Sequence, residues 1–270
     1  MKASRGYLVG ALLVSMATAL VSCRSGNKQR VSMVGSNSLQ PFVELLAEAF
    51  HHVKPDIQIE VQGPGSTVGL KALDSGIAEI APCSRPLNEE EAGKFKSITV
   101  ARDGLAIIVH PSNSVSGLTR EQVQRMYAGE VTNWSQVGGP DKPVRVITRD
   151  EASGTRGAFE ELVMKKKAIS NQALVQESNG AIMELVSNDP AAVGYVSMGL
   201  ALVNEKLKSL PIDSTAPSVD GVRTGSYPLS RPFLFVYKDK IGPLAQQFVD
   251  FVLSDAGQML LEKEGLVRAK

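Results

Sequence analysis

A strand-like run that breaks into a Gly/Ser turn and then into a helical pattern occurs three times in this chain. The turns are Gly35-Ser36-Asn37-Ser38, Gly63-Pro64-Gly65-Ser66-Thr67-Val68-Gly69 and Ala152-Ser153-Gly154-Thr155. Strands alternating with helices of about 10–15 residues imply α/β layers with largely parallel pairing, and such sheets hold ligands at the carboxyl ends of their strands. All three turns lie at those ends, so they can converge. Backbone N–H groups at a helix start lack intrahelical partners and carry the positive end of the helix dipole, and neighbouring hydroxyls add donors that need no counter-charge. Only the third turn has a nearby fixed cation, Arg149. One arginine among many neutral donors suits a small oxyanion held by hydrogen bonds.

The intervening segments fit this arrangement. Val31 to Val34 reads as a strand, and Phe42, Leu45, Leu46, Ala49, Phe50 and Val53 recur at helical spacing behind Pro41, a residue suited to the first turn of a helix. Ile57, Ile59 and Val61 alternate with polar residues, Ser66 to Leu73 reads as a helix and Ala78 to Cys83 as a strand. Gly104 to His110, Pro143 to Thr148, Val193 to Ser197 and Pro232 to Tyr237 are further strands, and Thr119 caps a helix that runs to Tyr127. Helices at Pro243 to Leu253 and Gly257 to Lys263 close the chain. Two lobes are expected, one from residues 31–108 completed by 232–270, the other from 109–231. Asp103 to His110 and Arg231 to Tyr237 form the crossovers, and the ligand sits in the cleft.

The first residues address the chain out of the cytoplasm. Lys2 and Arg5 precede an apolar run from Tyr7 to Val21 that is shorter than the ~20 residues needed to span a bilayer, and Ser22 and Cys23 follow. Residues 1–22 therefore read as a signal peptide. Leu20-Val21-Ser22-Cys23 resembles the bacterial lipobox, in which the cysteine becomes the lipidated first residue of the mature protein; ordinary cleavage that leaves a free thiol is the alternative. Residues 23–30 then form a polar tether. With Cys23 acylated, Cys83 has no partner among the 2 cysteines, so stability rests on a hydrophobic core and not on disulfides. Roughly 240 residues remain after the leader, one large or two modest domains at ~100–200 residues each.

Several chemistries are excluded or weak. A formal net charge of +1 gives no basic face for nucleic acid, and Lys165-Lys166-Lys167 reads as a solvated helix end. Gly63-x-Gly65-x-x-x-Gly69 has the wrong glycine spacing for a dinucleotide fingerprint, and no Gly-Lys-Ser/Thr completes a P-loop. His51, His52 and His110 form no metal motif, and Ser153 has no evident base. No cofactor, metal or catalytic group is expected. Locally, Arg149 to Arg156 also fits a capped helix behind a surface ion pair of Arg149 with Glu151, and Gly63 to Gly69 a plain tight turn capped by Ser66.

Taken together, the motifs resemble the phosphate-binding proteins of bacterial phosphate ABC importers over nearly all of the mature chain. Gly35-Ser36-Asn37-Ser38-Leu39-Gln40-Pro41 is similar to that family's G-S-x-[ST]-x-x-P opening, Gly65-Ser66-x-x-Gly69 to its second phosphate turn and Ser84-Arg85-Pro86-Leu87 to its third. Arg149-x-x-x-Ser153-Gly154-Thr155 is the most specific, and Ala192 to Ser197 is similar to a late A-I-G-Y-V strand. The resemblance implies a two-lobed periplasmic-binding-protein fold with ligand contacts from Asn37, Ser38, Ser66, Ser84, Arg149, Ser153, Gly154 and Thr155, and with Glu151 orienting the arginine. Asn37 stands where threonine is commoner, Ala152 replaces a glycine, and Ser84 occupies a place that is aspartate in some members.

The function this implies is capture of inorganic phosphate by a non-enzymatic, monomeric receptor. The receptor is tethered through Cys23 to a bacterial membrane, in the periplasm or on the outer face of the cytoplasmic membrane, and delivers its ligand to the permease subunits of an ABC importer. Three alternatives belong beside it: a receptor for sulfate or molybdate, a secreted phosphatase or hydrolase using Ser153, and an extracellular adhesin or sensor on the same fold.

Overall fold

Helix α1 (Gln40–Val53) shows how the chain assembles. Its Phe42, Val43, Leu46 and Phe50 are buried, each worth about 1.5–3 kcal/mol of transfer free energy, while Val53 at its end is exposed. The helix joins β1 (Gln29–Val34) to β2 (Ile57–Gln62), and the two strands pair in parallel. This is a computed structural model, and it describes residues 29–269; the signal peptide, Cys23 and most of the tether lie outside the described residues.

Helix α2 (Ser66–Asp74) leads to β3 (Ala81–Cys83), and a short helix α3 (Glu89–Lys94) leads to β4 (Lys96–Val109), a strand of 14 residues. Helix α4 (Arg120–Tyr127) starts from Thr119, whose hydroxyl accepts from the Gln122 N–H in a capping box. It is followed by β5 (Arg145–Arg149), helix α5 (Gly154–Phe159), β6 (Leu174–Gln176), helix α6 (Asn179–Asn188) and β7 (Ala192–Ser197). The strands β8 (Lys208–Ser209), β9 (Ser230–Tyr237) and β10 (Val267–Arg268) complete the set, with helices Pro243–Leu253 and Asp255–Lys263 between the last two.

Among the described residues the larger sheet runs β3-β9-β4-β7-β5-β6, with β8 and β10 also on β4. Pairing is parallel in β1–β2 and in β5 with β6 and β7, but antiparallel wherever β4 or β9 takes part. The expectation of largely parallel pairing therefore holds only at the two outer regions. The reason lies in β4, which leaves one hydrophobic core and enters another, so that its neighbours are strands returning the opposite way. Val100 and Ala101 pack with α1, Phe233 and Phe235 in the first core; Leu105 to Val109 pack with Tyr127, Phe159 and Tyr195 in the second. β9 makes the matching passage, with Ser230 opposite Gly104 and the Leu105 N–H donating to the Leu229 carbonyl. Two lobes joined by two strands are the result. The starts of α1, α2, α5 and α6 all face the cleft region between them.

Candidate functional site

The first turn is shaped by its own serine. Ser36 Oγ accepts from the N–H groups of Ser38 and Leu39 at 3.2 and 3.3 Å, which holds the turn ahead of α1 and leaves the side chains of Asn37 and Ser38 free to reach α5 and α6. The second turn depends on Gly65, whose φ of +120° disfavours a side chain and whose missing Cβ would lie 2.6 Å from the Ala152 carbonyl. That closeness lets the Thr67 N–H donate to Ala152 O at 3.1 Å, tying the second turn to the third. Ser153 caps α5, its Oγ accepting from the Arg156 N–H at 3.2 Å, and no base is hydrogen-bonded to it among the described residues.

The turns named from sequence meet. Ser38 Oγ and Thr155 Oγ1 are 2.5 Å apart, and the Ser84 N–H donates to Ser66 Oγ at 3.2 Å. A Cβ on Gly154 would collide with the Ser66 hydroxyl and would stand 2.6 Å from Ser84 Oγ, so the glycine permits both serines to approach the start of α5. Ser38, Ser66, Ser84, Arg149, Ser153 and Thr155 are all buried. Asn37 is half-buried, and its Oδ1 accepts twice from Asn179, from the backbone N–H and from Nδ2.

Arg149 ends β5 with 1 % exposure. Its Nε donates to the Gln176 carbonyl at 3.2 Å and its Nη2 to the Glu177 carbonyl at 2.8 Å. Burial pulls the guanidinium below its ordinary value, and the Asp150 carboxylate, 3.7 Å away, opposes this; an arginine stays charged under such a shift. The backbone N–H of Arg149 donates to the Tyr195 hydroxyl, whose pKa burial pushes up to about 12, so that it stays protonated. Among the described residues, two buried side-chain polar atoms have no hydrogen-bond partner: Arg149 Nη1 and Ser84 Oγ. Leaving such groups unmet costs about 1–3 kcal/mol each, more for a charged one.

Glu151 does not take the place expected for it. It is exposed, and Asp150, together with two backbone carbonyls, lies against the arginine instead. With Ser153 drawn inward to cap α5, the residue two before it turns out to solvent. Nor is Arg149 the sole buried cation nearby. Arg231 on β9 is paired with Asp103 on β4 at 2.9 Å, both side chains at 0 % exposure, and its Nη1 donates to Thr155 Oγ1. Burial raises the Asp103 carboxyl, and Arg231 opposes that rise.

Sequence reasoning missed Asn179, Asp103 and Arg231. The Glu177-Ser178-Asn179-Gly180 turn has the same Ser/Asn/Gly composition as the others, but the strand before it is only Leu174–Gln176, too short to register as one. Asp103 and Arg231 carry opposite charges at the edges of the two crossover segments, but they pair across a separation of 128 residues and leave no local signal. Among the described residues no cluster of three or more potential ligands could hold a metal, and no helix is long and apolar enough to cross a membrane.

The description "PBP superfamily domain" matches residues 22–256. Phosphate-binding protein PstS of Borreliella burgdorferi is 30% identical over 275 residues, covering 96% of this chain and 98% of that protein. The chain belongs to the phosphate-binding protein family. A second relative in the family, PstS of Pseudomonas aeruginosa, is 30% identical across 90% of this chain and 84% of its own. Two solved structures in the family align closely. A phosphate ABC transporter substrate-binding protein from Clostridium perfringens, solved with bound phosphate, gives a TM-score of 0.85 at 38% identity over 90% of this chain and 100% of its own. An ABC-type phosphate transport receptor from Vibrio cholerae gives 0.76 at 36% identity, over 89% of this chain and 100% of its own. These relatives are named as binding proteins and transport receptors, not as enzymes.

Proposed function

We propose that this chain is a substrate-binding lipoprotein that captures inorganic phosphate and delivers it to the permease of an ABC importer. The observation that carries the reading is the pair of unpartnered buried atoms, Arg149 Nη1 and Ser84 Oγ, in the cluster named from sequence as the anion site. An oxyanion supplies what both lack, an acceptor for the guanidinium and a partner for the hydroxyl. Contacts are assigned to Asn37, Ser38, Ser66, Ser84, Arg149, Ser153, Gly154 and Thr155. Residues 31–108 with 232–270 act as one lobe and 109–231 as the other, closing on the ligand about β4 and β9. Export through the leader and acylation of Cys23 keep a monomeric receptor beside its transporter.

The energetics are sufficient without catalysis. Charge-assisted hydrogen bonds contribute about 1.5–3 kcal/mol each, so a handful exceeds the ~8 kcal/mol of micromolar binding after dehydration and closure. Isothermal titration of the full chain with phosphate, sulfate and molybdate tests the assignment, with phosphate expected to bind in the micromolar range or tighter and ahead of both others. Preference for sulfate or molybdate overturns it, as does steady release of phosphate from a phosphate ester.

A further inference from the structure

Arg231 reaches the site from behind. Its Nε and Nη2 donate to Asp103 Oδ2 at 3.1 and 2.9 Å, and Ser197 Oγ donates to the same oxygen at 2.9 Å. The ring of Phe233 lies 5.0 Å from the guanidinium carbon. Its Nη1 donates to the Ser84 carbonyl at 3.1 Å and to Thr155 Oγ1 at 2.9 Å, one residue from each side of the cleft.

A guanidinium has donors only, so Thr155 Oγ1 is the acceptor in that bond and its own proton must go elsewhere. Ser38 Oγ is constrained in the same way. Asn179 Oδ1 accepts from the Ser197 N–H at 3.3 Å, which leaves Asn179 Nδ2 to donate to Ser38 Oγ at 3.0 Å. The two hydroxyls share one bond, which uses one of their two protons. The other proton has no acceptor in this network and is left for a ligand. This corner of the site can give hydrogen bonds to an anion but has no need, and little capacity, to receive one.

We propose that Arg231, braced by Asp103, is a positioning residue that fixes the Thr155 hydroxyl as a donor and so reserves this corner for an unprotonated ligand oxygen. The proposal rests on the phosphate reading and deepens it. A protonated oxygen of the ligand is then sent to Ser84 Oγ, which has no partner, and the dianion is favoured over the monoanion at the Thr155 corner. Because Asp103 neutralises Arg231, the contribution is one of orientation more than of charge. The other charged or titratable groups facing Arg231 are Arg149, Cys83 and Tyr195. Burial pushes the Cys83 thiol up and Tyr195 to about 12, so neither ionises near neutral pH.

The test is phosphate titration of the full chain from mildly acid to mildly alkaline pH. Arg231→Lys keeps a cation for Asp103 but cannot present the fork to Ser84 O and Thr155 together. It should weaken phosphate about tenfold at alkaline pH, the worth of one charge-assisted bond, and flatten the rise in affinity with pH. In a Thr155→Val background Arg231 has no hydroxyl left to orient, and Arg231→Lys should then change the dissociation constant by less than about twofold. If Arg231→Lys does not fold, the paired change Asp103→Leu with Arg231→Met carries the same comparison, since apolar replacement of a buried ion pair is generally tolerated. Equal losses in both backgrounds, or a pH profile parallel to that of the wild type, overturn the role of Arg231. A wild-type protein that does not bind phosphate overturns the phosphate reading and this proposal with it, an outcome distinct from a coupling of zero.

Discussion

The two walls of the cleft differ in kind. The wall built on α1, α2 and the turn after β3 offers Asn37, Ser38, Ser66 and Ser84, all neutral, while the wall built on β5 and α5 adds to Ser153, Gly154 and Thr155 a charged group, Arg149, that keeps one donor unpartnered. A neutral wall can approach a charged one without repulsion, whether or not a ligand is bound. Direct contacts such as Ser38 with Thr155 and Thr67 with Ala152 follow from this. On the proposed reading, the charged wall would set how strongly an anion is held, and the neutral wall which anion fits.

The sharpest way to break that division is Arg149→Ala. It removes the one cation assigned to direct ligand contact and should weaken phosphate binding by at least ~2 kcal/mol, about thirtyfold. Ser66→Ala on the neutral wall should cost less, as one donor among several. An Arg149→Ala dissociation constant equal to that of the wild type would remove Arg149 from the site and erase the distinction between the walls.

A smaller effect is expected where the walls touch. A Cβ added by Gly154→Ala would stand 2.6 Å from Ser84 Oγ and 2.8 Å from Ser66 Cβ, and the second of these cannot rotate away. Overpacking of this kind costs about 1–3 kcal/mol, so binding should fall roughly tenfold. If the clash exists only when the walls meet, the melting temperature of the ligand-free protein should stay near that of the wild type while its rise on adding phosphate shrinks. A fall in the ligand-free melting temperature as large as the loss in binding would mean that the walls stay together without ligand.

How much of this was legible beforehand depended on how local each signal is. The turns at Gly35, Gly63 and Ala152 could be read because glycine, serine and a helical pattern adjoin in sequence, and the convergence of Ser38, Ser66, Ser84 and Gly154 follows from where strands end. The parallel expectation failed at β4 because a strand that passes between two cores looks, residue by residue, like any other apolar run. Lys96 to Arg102 carries the charges Lys96 and Arg102 and did not read as a strand; its pairing with β9 is a long-range event. The resemblance implies Glu151 as the residue that orients Arg149, whereas that orientation is set by Asp150 and by carbonyls of residues 176 and 177. Asp103 and Arg231 find each other across a separation of 128 residues, which no local pattern encodes.

The finest test concerns choice of ligand and turns on Ser84. A carboxylate there would accept a hydrogen bond from a protonated phosphate and repel the unprotonated oxygens of sulfate, whereas a hydroxyl donates or accepts and repels neither. Ser84 Oγ is buried with no partner, while Thr155 accepts from Arg231 and Ser38 accepts from Asn179. Of these three neutral groups, Ser84 is therefore the one free to receive a proton from the ligand. Sulfate should compete measurably with phosphate in the wild type at high concentration. Ser84→Asp should sharpen the selection for phosphate by at least ~1 kcal/mol, about fivefold, with a smaller loss of phosphate affinity than Arg149→Ala produces. Competition titrations at one pH on the two proteins measure this. Identical inhibition by sulfate would show that residue 84 does not read the ligand's proton, and that the neutral wall leaves the choice of anion to the charged one.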